Sequence, residues 1–198
     1  MPRIVDHDQR RAALAEVVWS LIRERGLEGV TLRQITEKSG WSSGAIRHYL
    51  PNREAILNFA AQQLGARVEA HVRSLQFTSD ARQNLLDFLH LLLPLNEETR
   101  LWMEVWLAYL GAGVSDRTYV DTQGILYGGL HEALSGIFRD FSRLGWLPSH
   151  TPADATVQIH ALLDGLSVHL LMGRITPQQA KATLERAVDG LLVPLGEC

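Results

Sequence analysis

The stretch of residues 31–53 constrains the fold of this 198-residue chain more than any other. It reads TLRQITEKSGWSSGAIRHYLPNR and contains two short helical patterns separated by a tight turn. Thr31 followed by Gln34 matches a capping box, so the first helix should begin there and end by Gly40. Pro51 closes the second helix, because the residue before proline is disfavoured in helical conformation. The stretch therefore predicts two short helices followed by the start of a third.

The remaining sequence also reads as helices separated by capping and breaking residues. Apolar residues recur at helical spacing from Leu14 to Ile22, and Asn52 can cap a long fourth helix that reaches about residue 75. Five more helices are expected at about residues 79–93, from 97 to Gly111 or Gly113, from Ser115–Asp116 to 144, from 151 to 173, and from 176 to 193. No alternating run is strong enough to demand a strand, so the sequence predicts an all-α fold of about nine helices.

Composition limits the class of protein. The apolar fraction of 46% is that of an ordinary soluble globular chain, and no apolar run approaches the roughly 18 residues of a membrane span. The charged N-terminus lacks the apolar core of a secretory signal, and Cys198 is the only cysteine. We therefore expect a cytoplasmic protein with no membrane partner, disulfide, metal or cofactor. No nucleophile elbow, phosphate loop or dinucleotide fingerprint occurs, so the sequence does not predict an enzyme.

Charge is distributed unevenly along the chain. Residues 1–57 carry nine Lys and Arg against seven Asp and Glu, whereas residues 58–198 carry ten against fifteen. The first part is therefore +2 and the second −5, which gives the net charge of −3. A mildly basic first part on an acidic remainder suits a nucleic-acid partner for the first part.

Two short helices joined by a turn of about four residues form a helix-turn-helix pattern, whose second helix enters the DNA major groove. Residues 42–45 are small, so the backbone there can approach phosphates closely at the start of that helix, which Ser42 or Ser43 can cap. The side chains that follow project toward the groove or its walls. The candidate DNA-binding residues are Thr31, Arg33, Ser42, Ser43, Gly44, Arg47, His48, Tyr49 and Arg53.

Residues 10–57 resemble the N-terminal region of TetR-family transcriptional regulators. In that family a pattern near T-x-x-x-I-A-x-x-A-G-V-S-x-G-x-L-Y-x-Y-F-x-[SN]-K-E recurs. The matching positions are Thr31, Ile35, Gly40, Ser42, Gly44, Ile46, Tyr49, Pro51, Asn52, Arg53 and Glu54. Trp41 departs from a small aliphatic turn residue, and Arg47 stands where tyrosine is common. Arg47 either reads a guanine edge, contacts only phosphate, or pairs with Glu54.

The segments WMEVWLAYL, RLGWL and LLDGLSVHLL are similar to the BetI-like subgroup of the same family. The resemblance implies a pocket for a small-molecule effector, and an aromatic cage there would suit a cationic ligand. Plain core packing is the alternative for each aromatic side chain. His160 and Asp164 share one helix face, and a satisfied polar pair is the alternative to a ligand contact there. The candidate ligand-binding residues are Trp102, Trp106, Tyr109, Tyr127, His131, His160 and Asp164.

The eighth predicted helix is apolar on more than one face, so it must be covered on two sides, and the ninth can share one of these contacts. The resemblance implies that one side meets a second copy of the chain in a four-helix contact. A monomer in which the last helix folds over its neighbour is the alternative. The candidate dimer residues are Leu166, Leu170, Leu184, Val188 and Leu191.

The resemblance thus implies a DNA-binding domain over residues 1–51 and an effector-binding and dimerisation domain over 52–198, linked by the helix at 52–75. Its implied function is a ligand-responsive transcriptional regulator, most often a repressor. Such a regulator binds pseudo-palindromic double-stranded operator DNA as a homodimer and is released by a small-molecule effector. A helical small-molecule sensor without operator binding is the alternative.

Overall fold

The fold was analysed in a computed structural model, which describes the backbone of residues 7–115 and 120–193 and the side chains of residues 9–114 and 126–193. In these ranges all regular structure is helical, with nine α-helices, one 3-10 turn at Leu27–Gly29 and no strand. The prediction of an all-α fold with about nine helices is confirmed. The α-helices are α1 His7–Arg25, α2 Leu32–Ser39, α3 Ser43–Tyr49, α4 Arg53–Ser74, α5 Ala81–Leu91, α6 Glu97–Ser115, α7 Val120–Arg143, α8 Pro152–Leu171 and α9 Pro177–Leu191.

Only one half of the capping box predicted at the start of α2 forms. The Thr31 hydroxyl accepts a hydrogen bond from the Gln34 backbone N–H at 3.3 Å. The Gln34 amide does not return to the Thr31 backbone, because it faces the Gly29 carbonyl and the Arg25 guanidinium. The side chain of Gln34 therefore ties α2 to the end of α1 instead of closing the box.

The turn between α2 and α3 and the start of α4 follow the predicted chemistry. Gly40 has a φ of 72°, the left-handed conformation that glycine adopts without strain. The Ser42 hydroxyl accepts from the Ala45 N–H at 3.2 Å, and the Asn52 side chain accepts from the Ala55 N–H at 2.7 Å. Both caps satisfy backbone donors that have no partner within their helices.

The predicted end of α6, at Gly111 or Gly113, is wrong. α6 continues through Gly111 and Gly113 to Ser115, and neither glycine has the positive φ of a helix-ending residue. Ser115 therefore belongs to α6 and does not open α7. The other predicted opening residue, Asp116, lies outside the described residues.

Other helix ends differ by one or two residues from the prediction, and α5 and α9 are examples. α5 begins at Ala81, because the Asp80 carboxylate caps it by accepting from the Gln83 N–H at 2.9 Å. α9 ends at Leu191, two residues before the predicted end at Val193. These differences leave the order and number of helices as predicted.

The described residues form two compact units. Unit 1 contains those up to Glu69 and from Glu104 to Leu126, and unit 2 contains residues 70–103 and those from 127 onward. The boundaries fall inside α4, α6 and α7, so these helices contribute residues to both units. The functional division predicted after residue 51 stays a prediction.

The helices of the helix-turn-helix pack on the core of unit 1. α1 packs against α2, and α2 packs against α3. The Trp19 indole N–H donates to the Ala60 carbonyl at 3.0 Å, and the Tyr109 hydroxyl donates to the Leu57 carbonyl at 2.7 Å. Its buried side chains include Leu14, Val18, Leu21, Ile22, Ile35, Ile46 and Leu50.

The core of unit 2 is apolar and is built mainly by α5, α7, α8 and α9. α9 packs against both α8 and α5. Its buried residues include Leu85, Leu89, Leu134, Phe138, Ile159, Leu163, Leu184, Val188 and Leu191. This core fixes α7 and α8, the two helices that carry the polar candidates for ligand binding.

Candidate functional sites

The second helix of the helix-turn-helix, α3, presents one face to solvent. Ile46 is completely buried and anchors the helix from below. Because an α-helix turns by about 100° per residue, Gly44 and His48 point away from Ile46, while Arg47 and Tyr49 lie on opposite flanks. All four are exposed. The predicted small and polar positions are therefore on the accessible side of α3.

Arg47 is exposed and has no ion pair or hydrogen bond among the described residues. The Arg47–Glu54 ion pair, one of the three alternatives, is thus absent from the described chain. Arg33 differs, because its guanidinium contacts the Glu37 carboxylate at 2.7 Å on the same helix. The two remaining alternatives for Arg47, a guanine edge and a phosphate, both require an uncommitted guanidinium.

Three other candidates have roles in the fold of unit 1. Thr31 and Ser42 are the N-caps of α2 and α3, and both are exposed. The Arg53 guanidinium donates to the Leu27 carbonyl at 2.9 Å and contacts the Glu28 carboxylate at 3.0 Å. Arg53 therefore attaches the start of α4 to the 3-10 turn, a structural role that sequence spacing did not reveal.

The aromatic candidates of α6 differ in burial and in the residues that they contact. Tyr109 is completely buried and is held by its hydrogen bond to Leu57, so it is a core residue of unit 1. Trp106 is half-buried and also belongs to unit 1. Trp102 belongs to unit 2, where its ring meets His71 edge-on at 4.8 Å between centroids.

Tyr127, His131 and His160 come together in unit 2. The Tyr127 ring stacks on His160 at 4.5 Å and on His131 at 5.6 Å. His160 is only 2% exposed, and neither of its ring nitrogens has a hydrogen-bond partner within the described chain. Nδ1 of His131 is also buried, with no hydrogen-bond partner among the described residues. We call these three residues the imidazole stack.

The reading of His160 and Asp164 as a satisfied polar pair is wrong. Asp164 acts on His160 through its charge, but no hydrogen bond links it to the ring. Burial lowers the pKa of the His160 imidazole, the carboxylate of Asp164 raises it, and His131 lowers it; burial prevails. His160 is therefore a neutral imidazole near pH 7, able to donate one hydrogen bond and accept another.

The candidate dimer residues occupy two kinds of position. Leu184 and Val188 are completely buried and Leu191 is 2% exposed, so they fill the core of their own chain and have no surface for a partner. α9 thus packs on α8 of the same chain, and the contact with a second copy stays a prediction. Leu166 and Leu170 lie nearer the surface of α8, and Leu166 borders a cleft of about 300 Å³ between α8 and α9.

The described ranges contain neither a candidate metal site nor a candidate membrane-spanning helix. His, Cys, Asp and Glu side chains nowhere converge in threes at distances that would hold a metal ion. No helix there combines the length and apolar character that crossing a membrane requires.

Sequence reasoning missed several residues that tertiary structure brings to these sites. Arg10 and Arg11 of α1 approach Tyr49 of α3, although about 40 residues separate them. Ser167 lies seven residues from His160, at helical spacing on α8, and its buried hydroxyl has no partner in the part of the chain that the structure describes. That i, i+7 spacing was readable in the sequence, whereas the approach of α1 to α3 was not.

Comparison with known proteins agrees with this architecture. The family described as bacterial regulatory proteins, tetR family, matches residues 16–59, and the BetI-type transcriptional repressor C-terminal family matches residues 81–193. The HTH-type transcriptional regulator PksA of Bacillus subtilis is 27% identical over 197 residues, which cover 98% of this chain and 95% of that protein.

Solved structures show the same fold. A TetR-family transcriptional regulator from Rhodococcus sp. superimposes with a TM-score of 0.86 at 21% identity, over 94% of this chain and all of that one. A transcriptional regulator from Saccharomonospora viridis, solved in complex with choline, gives a TM-score of 0.76 at 21% identity, over 95% of this chain and all of that one.

A helix-turn-helix whose second helix is exposed, followed by a larger helical C-terminal part, is the arrangement of a DNA-binding regulator. The chain belongs to the tetR family of bacterial regulatory proteins, with a C-terminal region of the BetI type. It is a transcriptional regulator with a DNA-binding region and a ligand-binding region, and it is not an enzyme.

Proposed function

We propose that this regulator is a repressor that binds a pseudo-palindromic operator as a homodimer and is released by a small-molecule effector. The observation that carries the DNA-binding part is the outer face of α3. It presents small residues at 43–45 and the uncommitted guanidinium of Arg47, while Ile46 fixes the helix from below. In a two-fold dimer, two such helices would enter successive major grooves about 10 base pairs apart.

The imidazole stack supports the effector part. Buried polar groups in proteins nearly always have hydrogen-bond partners, so His160, with two buried ring nitrogens unpartnered in the described chain, marks a place where a polar ligand would bond. Aromatic and imidazole faces beside the Asp164 carboxylate also suit a ligand with positive charge. The transcriptional regulator from Saccharomonospora viridis, which shares this fold, was solved in complex with choline, and choline is such a ligand.

The outer surface of α8 and α9 supports the dimer part. Ala161 and Gly165 are small and lie four residues apart on α8, where they let another helix approach closely. Val157 and Met172 on or beside the same helix are 59% and 62% exposed, which is high for apolar side chains in water. Regulators of this family act as dimers, and this surface replaces the buried Leu184, Val188 and Leu191 as the proposed contact.

Selection of bound sequences from a random DNA pool tests the proposal. We expect a pseudo-palindromic sequence to be enriched. Arg47→Ala should weaken its binding by about 10- to 100-fold if the guanidinium reads a guanine, which corresponds to about 1–3 kcal/mol. If Arg47 contacts only phosphate, the loss should be similar on all sequences, and the salt dependence should fall by about one unit of log–log slope.

Arg143→Ala is the matched control, because it removes the same charge from an exposed position of α7 in unit 2. It should leave operator binding unchanged. A pool in which no sequence is enriched would contradict operator binding and would favour the alternative, a sensor protein without an operator. Competition of the selected DNA with candidate effectors then tests release, since linkage requires effector and DNA to alter each other's affinity by the same factor.

A further inference from the structure

A cleft of about 260 Å³ opens in unit 1 between α1, the helix-turn-helix turn, the end of α3 and the start of α4. Its lining includes the aromatic residues Phe59, Trp41 and Tyr49. Arg10 and Arg11 also line it, and both are exposed. The cleft thus combines hydrogen-bond donors and positive charge beside the helix that faces DNA.

The two arginines differ from most cations of unit 1. Arg11 lies over the Phe59 ring at 5.1 Å from its centroid, which holds its position without neutralising its charge. Neither Arg10 nor Arg11 has an acidic partner among the described residues. By contrast, the ion pairs Arg23–Glu104, Arg33–Glu37, Lys38–Glu24, Arg53–Glu28 and Arg67–Glu16 neutralise other cations of the unit.

The cleft lies beside α3, and this position indicates which partner it would contact. Tyr49 lies on the flank of α3 opposite Arg47, and the cleft adjoins that Tyr49 flank. A helix in the major groove has one phosphate backbone on each side. A contact at the Tyr49 flank therefore reaches one of the two strands, and a contact at the Arg47 flank reaches the groove floor or the other strand.

We propose that this cleft binds the phosphodiester backbone of DNA, with Arg10 and Arg11 as the cationic contacts. The inference rests on the proposed operator binding and adds a second anchor to it, on α1. Phosphate contacts fix the orientation of a recognition helix without reading sequence. Arg10 and Arg11 therefore set the affinity and orientation of α3, while base preference stays with α3 itself.

The test compares wild-type protein with the double variant Arg10→Gln/Arg11→Gln, which removes both charges and keeps most of each side-chain stem. Affinity is measured from low to high salt, on the selected operator and on an unrelated duplex. We expect the variant to bind both DNAs more weakly, on the order of tenfold for each arginine at low salt. The slope of log affinity against log salt should fall by about 2.

Arg139→Gln/Arg143→Gln is the control, since it removes two exposed charges of the same sign from α7 in unit 2. It should retain wild-type affinity and slope, and both double variants should keep the wild-type melting temperature. Wild-type affinity and slope in the Arg10/Arg11 variant would overturn this inference alone. A loss confined to the operator would overturn it as well, because it indicates base contact. No DNA binding by wild-type protein would instead overturn the proposed function.

Discussion

The interiors of unit 1 and unit 2 differ in the hydrogen bonding of their buried polar groups. In unit 1, Trp19 and Tyr109 are buried, and each donates to a backbone carbonyl of α4. In unit 2, His160 and Ser167 are equally buried but have no hydrogen-bond partner within the described residues. Among the described residues, these buried polar groups are therefore hydrogen-bonded in unit 1 and unbonded in unit 2.

This contrast indicates how each region works. A region that acts through its surface benefits from a rigid, fully bonded interior, because that interior holds the exposed side of α3 in one orientation. A region that acts through its interior needs polar groups whose missing hydrogen bonds an incoming molecule can supply. Unbonded buried polar groups cost free energy in the folded chain, and a ligand that bonds them recovers that cost.

The largest expected effect compares Trp19→Phe with His160→Phe. Trp19→Phe removes a buried hydrogen bond and part of a packed ring, and it should lower the free energy of unfolding by about 2 kcal/mol. His160→Phe keeps an aromatic ring and removes two nitrogens that have no hydrogen-bond partner among the described residues, so it should change stability by less than about 1 kcal/mol. Urea unfolding of both variants without effector measures the difference. Equal losses would show that the two interiors do not differ in this respect.

A smaller effect separates folding from DNA contact within unit 1, with Gly40→Ala and Gly44→Ala as the pair. Gly40 has a positive φ, so alanine there should destabilise the protein by about 1 kcal/mol. Gly44 is helical, and an added Cβ meets no atom of the chain within 4 Å, so alanine should preserve stability or raise it by up to about 1 kcal/mol.

Affinity for operator DNA should show the reverse order. Gly44→Ala should weaken binding, because the proposed operator complex places its methyl group where the backbone of α3 approaches DNA. Gly40→Ala should keep most of the affinity at temperatures where it stays folded. Thermal unfolding and a binding titration on the same two samples check both halves. Unchanged DNA binding by Gly44→Ala would show that the backbone approach at this position is not used.

The smallest effect is the dependence of stability on pH. Burial lowers the pKa of His160 in the folded chain, and it lowers that of His90 as well. The unfolded state therefore takes up protons first as the pH falls below about 6.5, the ordinary value for histidine. Stability should be constant near pH 8 and should decline from pH 7 toward pH 5, before carboxylates titrate.

His160→Phe should make this decline shallower, and His90 should account for part of what remains. Unfolding midpoints measured at several pH values for the two proteins provide the comparison. A wild-type protein whose stability rises on acidification over this range would contradict the direction assigned to His160.

Local patterns predicted the helices well because capping and breaking act over a few residues. Ser42, Asn52 and Thr151 begin helices where the sequence places them, and Gly40 ends one. The prediction that α6 ends at Gly111 or Gly113 was wrong, because a glycine ends a helix only if its surroundings favour a positive φ. The boundary near Ser115 was therefore predicted too early.

The stretch of residues 31–53 by itself determined the helix-turn-helix, the family and the outward residues of α3, since periodicity and caps assign each residue to a face. Tertiary structure alone decided which partners those residues keep. It committed Arg53 to the 3-10 turn, left Arg47 without an acidic partner in the described chain, and brought Arg10 and Arg11 to the Tyr49 flank. It also buried Leu184 and left the His160 ring nitrogens without hydrogen bonds to the described residues. Such outcomes depend on contacts between residues far apart in sequence, which local spacing does not encode.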